Sequence, residues 1–281
     1  MTIDCGLVPV TLPAHAAAVL PFFRLSRRGV LPTALIVGAC APDLSYIYAL
    51  REVGDFIAHE FPGFILFCVP VGLAVLLWLE VLILPALRLA LPEVGGVQWG
   101  RFVHTPGLPR SPLAWSLTVA ALVLGAATHL LWDGFTHHHM WPARVLYPDV
   151  VVPIGSRDLP LSRVLQHVSS LVGSLGVFAY MARRYRHLEP VPGGSWSSLL
   201  RVLLPTVAGA CVGLALRLVR YQDMGALEAQ LWWAFWPTAT GALAGLTLGC
   251  GLVRWREWRG MPGLGRGARA RSVRTPWRSG P

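Results

Sequence analysis

Charge is what this chain has least of. Asp, Glu, Lys and Arg together make up 14% of its 281 residues, against about 25% in a soluble domain. A surface that faces water on every side cannot be built from so few. Intrinsic disorder is excluded as well, because it needs low hydrophobicity and high charge, and 54% of this chain is hydrophobic, with a mean hydropathy of +0.54. A soluble globular enzyme is therefore ruled out as the default, and an integral membrane protein takes its place. Lysine is absent, so all 24 cations are arginine; this points to a GC-rich coding bias more than to a mechanism. There is no CxxC. The five cysteines (Cys5, Cys40, Cys68, Cys211 and Cys250) are scattered, four of them in apolar runs, and read as small buried hydrophobes. The N-terminus lacks the pattern of a cleavable signal peptide: a basic start, an apolar core and a small-residue cleavage site. The chain contains no GxSxG, no phosphate-loop pattern and no defensible Ser/His/Asp arrangement.

What is present are apolar stretches near the ~20 residues needed to cross a bilayer. Phe61–Leu87 is the strongest, followed by Pro112–Phe135, Val164–Ala182, Leu199–Val219 and Leu231–Val253. Leu31–Leu50 is weaker but long enough. Internal Pro and Gly are tolerated in membrane helices. The expected fold is an all-α polytopic bundle of about six spans. Residues 1–253 would form the transmembrane domain and residues 254–281 a basic, disordered tail.

That tail carries eight Arg and one Glu, which is +7 of the net +10. Such a tail can bind nucleic acid, but beside a hydrophobic span it marks the cytoplasmic side and contacts anionic lipid headgroups. No nucleic-acid partner is expected. Working back from a cytoplasmic C-terminus, arginines at the span ends agree at each step. The loop 136–163 then falls outside, and Arg183, Arg184 and Arg186 fall inside. Further upstream, Ala14–Arg24 and Leu31–Leu50 read as a helical hairpin with an arginine-rich turn. At ~1.5 Å per residue, His15 and Asp43 would lie at one level near the outer end.

Most of the ionisable groups in or beside the spans fall on that outer side: His15, Asp43, His59, His129, Asp133 and His137. Such residues are costly in a membrane and are functional candidates. His129, Asp133 and His137 are spaced i, i+4, i+8, so one continuous helix would put them on one face. Imidazole and carboxylate one turn apart can share a divalent ion, with Zn favoured and Mn or Fe also suited. Taken together, the six are candidate metal ligands. Glu60 is the best-placed carboxylate for a general base, with Asp43 as the alternative. His167 reads as an extra ligand or proton donor. Arg144, Arg157 and Arg163 can hold a phosphate or touch lipid headgroups. Each residue also has a plain reading: His15 as an interfacial helix start, Asp43 as an N-cap after Pro42, His59–Glu60 as loop polarity, any buried His or Asp as a hydrogen-bond partner.

The strings PAHAAAVLP, VGACAPDLSYI, HEFPGFILFCVPVGL, ATHLLWDGFTH and LQHVSSLVGSLG resemble the bacterial membrane family known as domain of unknown function 4184. In motif layout the chain is also similar to inner-membrane proteins regarded as metal-dependent hydrolases, which share an early His, a PD motif, a His-rich turn and an HxxxD helix. The resemblance implies that His15, Asp43, His59, His129, Asp133 and His137 are the positions to watch. It also implies a bacterial cytoplasmic membrane location. One departure is that the family reads HS before PG, where this chain has Glu60. The leading expectation is a metal-dependent hydrolase acting on a lipid-linked or phosphoester substrate. A transporter or metal-handling protein using the same residues, and a structural membrane protein, are the alternatives.

Overall fold

The computed structural model describes residues 12–24, 30–46, 58–59, 62–103, 105–155, 157–185, 188, 193–220 and 227–260. Among these residues, eight helical segments dominate. α1 (Leu12–Val19) runs into a 3-10 turn, Leu20–Arg24. α2 (Leu31–Cys40) is followed by a 3-10 turn, Pro42–Tyr46. α3 comprises Gly63–Trp78, a π-helical turn Leu79–Ile83, and Leu84–Ala90. Next come α4 (Pro112–Thr136), the single-turn α5 (Ala143–Leu146), α6 (Leu161–Tyr185), α7 (Trp196–Arg220) and α8 (Leu227–Gly260). Among the described residues, two small antiparallel hairpins interrupt them: β1 (Glu93–Val94) with β2 (Val97–Gln98), and β3 (Val151–Ile154) with β4 (Arg157–Pro160). In the second, Val151 faces Pro160 and Ile154 faces Arg157.

Among the described residues, four helices are long and apolar enough to span a bilayer: Ile65–Ala90, Pro112–Thr136, Leu161–Arg184 and Trp196–Val219. Their outward residues confirm the solvent they are made for. Leu66, Leu113, Phe178 and Val219 are each at least 67% exposed, an arrangement water would penalise and lipid would not. The all-α membrane bundle expected from composition is what forms. Leu31–Leu50, however, is not a continuous helix. α2 stops after ten residues, about 15 Å, or half the ~30 Å hydrocarbon core. Pro42 has no N–H to continue the α-helical ladder, and the chain tightens into the 3-10 turn that carries Asp43. Pro21 falls likewise in the 3-10 turn that follows α1. The two short N-terminal helices pack on each other and lie against α4 and α6.

At the other end, α8 does not stop at Val253. It runs through Arg254–Gly260 into the expected tail. The sequence supports that extension: Arg254 pairs with Glu257 at 2.7 Å, three residues on, and the Arg259 guanidinium lies 3.9 Å over the Trp255 ring. Residues 261–281 lie outside the described residues.

α7 and α8 pack antiparallel through glycines four apart: Gly209 and Gly213 against Gly241, Gly245 and Gly249. A Cβ at Gly241 would sit 2.0 Å from the Gly209 carbonyl oxygen, and one at Gly245 1.9 Å from that of Pro205. Only backbone-to-backbone packing fits there, the membrane mode of helix association through small residues. This pair leans on the second half of α3, where Ile83, Ala86, Ala90, Val202, Cys250 and Val253 form one core cluster and the Trp78 indole donates to Thr247 Oγ1 at 3.1 Å. The π-helical turn between the halves of α3 carries Glu80, which is turned inward and 5% exposed, where Oε2 accepts from the Gly107 N–H at 3.3 Å. The N-terminal half of the molecule has its own cores. Val19, Leu35, Val37, Leu76 and Leu122 fill one. Ala41, Ala58, Phe67, Cys68 and Ala126 fill a second, smaller one. The polar cluster sits beside the second. Among the described cysteines, Cys68 and Cys250 are buried, while Cys211 is exposed on α7.

Candidate metal centre

α4 begins cleanly. Ser111 caps it, its Oγ accepting from the Ala114 N–H at 3.2 Å, and Pro112 occupies the first turn. One face near its far end presents His129 and Asp133, one turn apart and both buried. His137 is not on the same helix, as the i, i+8 spacing predicted. The helix ends at Thr136, and His137 is its C-cap in an extended conformation, φ −117° and ψ 116°. Its N–H still closes the last turn on the Asp133 carbonyl at 2.9 Å, which keeps the ring near Asp133.

Asp133 is the hub of the cluster. Its Oδ2 lies 3.1 Å from His129 Nε2 and 4.0 Å from His59 Nε2. Its Oδ1 lies 3.6 Å from His15 Nε2 and 3.6 Å from His137 Nδ1. Asp43 Oδ1 approaches His129 Nε2 to 3.6 Å. The His15 ring stacks on His129, centroids 3.9 Å apart. All six residues singled out from the sequence thus meet at one end of the bundle. Four of them, Asp43, His59, His129 and Asp133, each offer one donor atom such that all lie within 4.8 Å of one another. His15 and His137 flank this group through Asp133. Glu60 lies outside the described residues.

Each donor is delivered by a feature of local structure. Asp43 comes from the first turn of the 3-10 segment that Pro42 begins. His59 follows Ala58, whose carbonyl accepts from the Cys68 thiol of α3 at 3.8 Å. His129 is oriented from behind, its Nδ1 2.8 Å from the Ala39 carbonyl of α2. That bond depends on an unusually close helix crossing. A Cβ on Gly38 would lie 2.2 Å from the Leu122 carbonyl oxygen, and one on Gly125 would lie 2.3 Å from that of Leu35. Glycine at both places lets α2 meet α4 backbone to backbone, one turn from His129.

The set fits a divalent ion. A carbonyl can only accept, so Nδ1 of His129 carries the proton and Nε2 keeps its lone pair in the neutral ring. That Nε2 is buried and faces Asp133 Oδ2 at 3.1 Å and Asp43 Oδ1 at 3.6 Å. Ligand bonds of about 2.0–2.2 Å put the donors of a tetrahedral site roughly 3.4 Å apart. The observed separations of 3.1, 3.6 and 4.0 Å bracket this value. With neutral imidazoles the cluster carries two carboxylates largely removed from water, a charge that needs a cation or protons to balance it.

Beyond the cluster, a cavity of about 170 Å³ opens beside His137, where the loop after α4 meets the start of α6. His137 faces both ways: Nδ1 toward Asp133, Nε2 3.2 Å from the Gln166 side-chain nitrogen. His138 and His139 line the cavity too. Burial, with His137 and His138 alongside, holds the His139 imidazole below its ordinary pKa. His167 belongs neither to the cluster nor to the cavity; it is exposed, about 100° further round α6 than Gln166. Arg163 lines the cavity, whereas Arg144 is exposed on α5 and the Arg157 side chain lies outside the described residues. Sequence reasoning missed the Ala39 carbonyl, the Gly38–Gly125 crossing and Glu80. The first two carry no chemical signal in a single sequence. Glu80 did carry one, as an acid inside the longest apolar run.

The fold and its buried polar end define a polytopic all-α membrane protein with a His/Asp cluster at one end of the bundle. Residues 8–254 match the family described as Domain of unknown function (DUF4184), and the chain belongs to that family. No curated protein and no solved structure matches the chain.

Proposed function

We propose that this protein is a membrane-bound, metal-dependent hydrolase whose centre is held by Asp43, His59, His129 and Asp133. One observation carries the reading: four donors from three separate segments converge within 4.8 Å in a largely buried place. Mere helix-joining polarity requires only pairs. A Zn, Mn or Fe ion bound there would supply Lewis-acid activation of a water near neutral pH. The chain supplies the rest. His129 is aimed and held in one tautomer by the Ala39 carbonyl. His15 and His137 fix Asp133 from its other oxygen. Glu60, next to His59 in the chain, is the proposed proton acceptor, with Asp43 as the alternative. The substrate is an ester or phosphoester presented at the membrane surface.

We place the centre on the extracytoplasmic face of a bacterial cytoplasmic membrane. The support is arginine: Arg183 and Arg184 end α6, and Arg254, Arg256 and Arg259 end α8. These are the helix ends away from the cluster, and positive loops stay in the cytoplasm. On the same reading, the basic residues after Gly260 contact anionic headgroups.

The test is turnover. Detergent-purified protein reconstituted with Zn, Mn or Fe should hydrolyse chromogenic carboxylic or phosphoric esters, and Asp133→Asn and His129→Ala should not, while remaining folded. Metal binding without turnover of any ester would favour metal handling. No metal binding would favour a structural cluster in which a protonated His129 pairs with Asp133 at 3.1 Å.

A further inference from the structure

The cavity beside the centre has a definite chemistry. His137, His138, His139, Ser162, Arg163 and Gln166 line it, together with Thr136 and Pro160. Among the described residues no carboxylate contributes to the lining. Arg163 is half-buried, and Ser162 is only 3% exposed. Apart from Pro160, the side chains carry donors: a guanidinium, a carboxamide, two hydroxyls and three imidazoles. The N-terminal turn of α6, a helix of 25 residues, supplies Ser162 and Arg163, and so adds the positive end of its dipole. At about 170 Å³, the space holds on the order of ten water-sized groups, enough for a phosphate group. His137 is shared by the cavity and the cluster, with one ring nitrogen toward each.

We propose that this cavity is the phosphate subsite of the substrate. A phosphate group enters it and is held by the Arg163 guanidinium and the Gln166 carboxamide, with the imidazoles of His137, His138 and His139 around it. Its position next to His137 places the neighbouring atoms of the same substrate at the His/Asp cluster. The inference rests on the hydrolase reading and narrows it. The substrate carries a phosphate next to the bond that is cut, whether as a lipid headgroup or as a water-soluble ester. Arg is the side chain suited to this task, because its planar fork matches phosphate oxygens two at a time.

The experiment uses the full chain in detergent, with inorganic phosphate as the probe and calorimetry as the readout. It is run on zinc-loaded and on chelator-treated protein. Arg163→Gln and Gln166→Leu should each weaken phosphate binding at least ten-fold in both preparations, with unchanged zinc content and unchanged thermal unfolding. Arg163→Lys should recover only part of the loss. Phosphate binding that is indifferent to both residues, or absent from the parent protein, overturns the subsite and leaves the hydrolase reading standing. Arg163-dependent phosphate binding in a parent that takes up no metal keeps the subsite and overturns the hydrolase reading instead. A further pair of titrations separates the sources. Nanodiscs containing phosphatidic acid that displace phosphate where glycerol 3-phosphate does not identify a lipid headgroup; the reverse identifies a soluble ester.

Discussion

Replacing Gly125 with alanine should disable the centre without touching a ligand. The new Cβ would lie 2.3 Å from the Leu35 carbonyl oxygen, 2.6 Å from the Ala39 nitrogen and 2.9 Å from the Gly38 carbonyl carbon. All three neighbours are backbone, so none can swing away as a side chain would. Ordinary contact begins near 3.4 Å, so α2 must retreat from α4 by about 1.1 Å. The Ala39 carbonyl rides on α2, and its 2.8 Å contact with His129 Nδ1 then opens to roughly 3.9 Å, beyond hydrogen-bond range. Asp43, on the turn that follows α2, shifts as well. Loss of a partner that orients a metal-ligating histidine typically costs about 10–100-fold in metal affinity. Overpacking the crossing adds a destabilisation of about 1–3 kcal/mol. The assay is competition for zinc against a chromophoric chelator, with thermal unfolding measured on the same sample. Gly176→Ala is the control, since a Cβ there meets nothing within 4 Å. A folded Gly125→Ala protein that holds zinc as tightly as the parent would refute the claim that the crossing positions His129.

Further outcomes follow from the same geometry. Metal removal should lower thermal stability, by about 2.7 kcal/mol if the ion was present at a hundred times its Kd; scanning unfolding with and without chelator measures it. Zinc affinity should fall as pH drops, because imidazole ligands must be unprotonated to bind, and zinc titrations at stepped pH would show it. Gly245→Leu should pry α7 from α8, given a Cβ position 1.9 Å from the Pro205 carbonyl oxygen, whereas Gly251→Leu should be tolerated, with nothing within 4 Å; unfolding temperature separates the two. Cysteines introduced at Asp149 and Arg259 should react with impermeant maleimide from opposite sides of the membrane, the first from outside.

The bundle was legible because composition and run length are direct readouts of the solvent a helix must meet. The apolar stretch from Phe61 and the ones from Pro112, Val164 and Leu199 all became long helices. Leu31–Leu50 misled because hydropathy ignores backbone chemistry: Pro42 limits the α-helix, whatever the apolarity beyond it. The end of α8 misled in the opposite direction, since arginine count suggested a tail where an i, i+3 ion pair and a cation–π contact accompany a helix. The cluster was foreseeable because charged groups in apolar runs are rare enough to be counted one by one. What could not be read was the second layer. A carbonyl at Ala39 looks like any other carbonyl, and Gly38 with Gly125 signals nothing until two helices are known to cross there. Gln166 rather than His167 faces His137, a matter of one residue of helix phase that an apolar-run argument does not resolve.

The central claim is that Asp43, His59, His129 and Asp133 hold a metal. The direct test is elemental mass spectrometry on detergent-purified protein, alongside His129→Ala and Asp133→Ala variants with parental unfolding behaviour. Near-stoichiometric Zn, Mn or Fe in the parent, lost in both variants, is the predicted result. A parent that carries no metal even after incubation with each ion, or variants that keep it, would contradict the account and leave the cluster as a set of proton-balanced pairs joining helices.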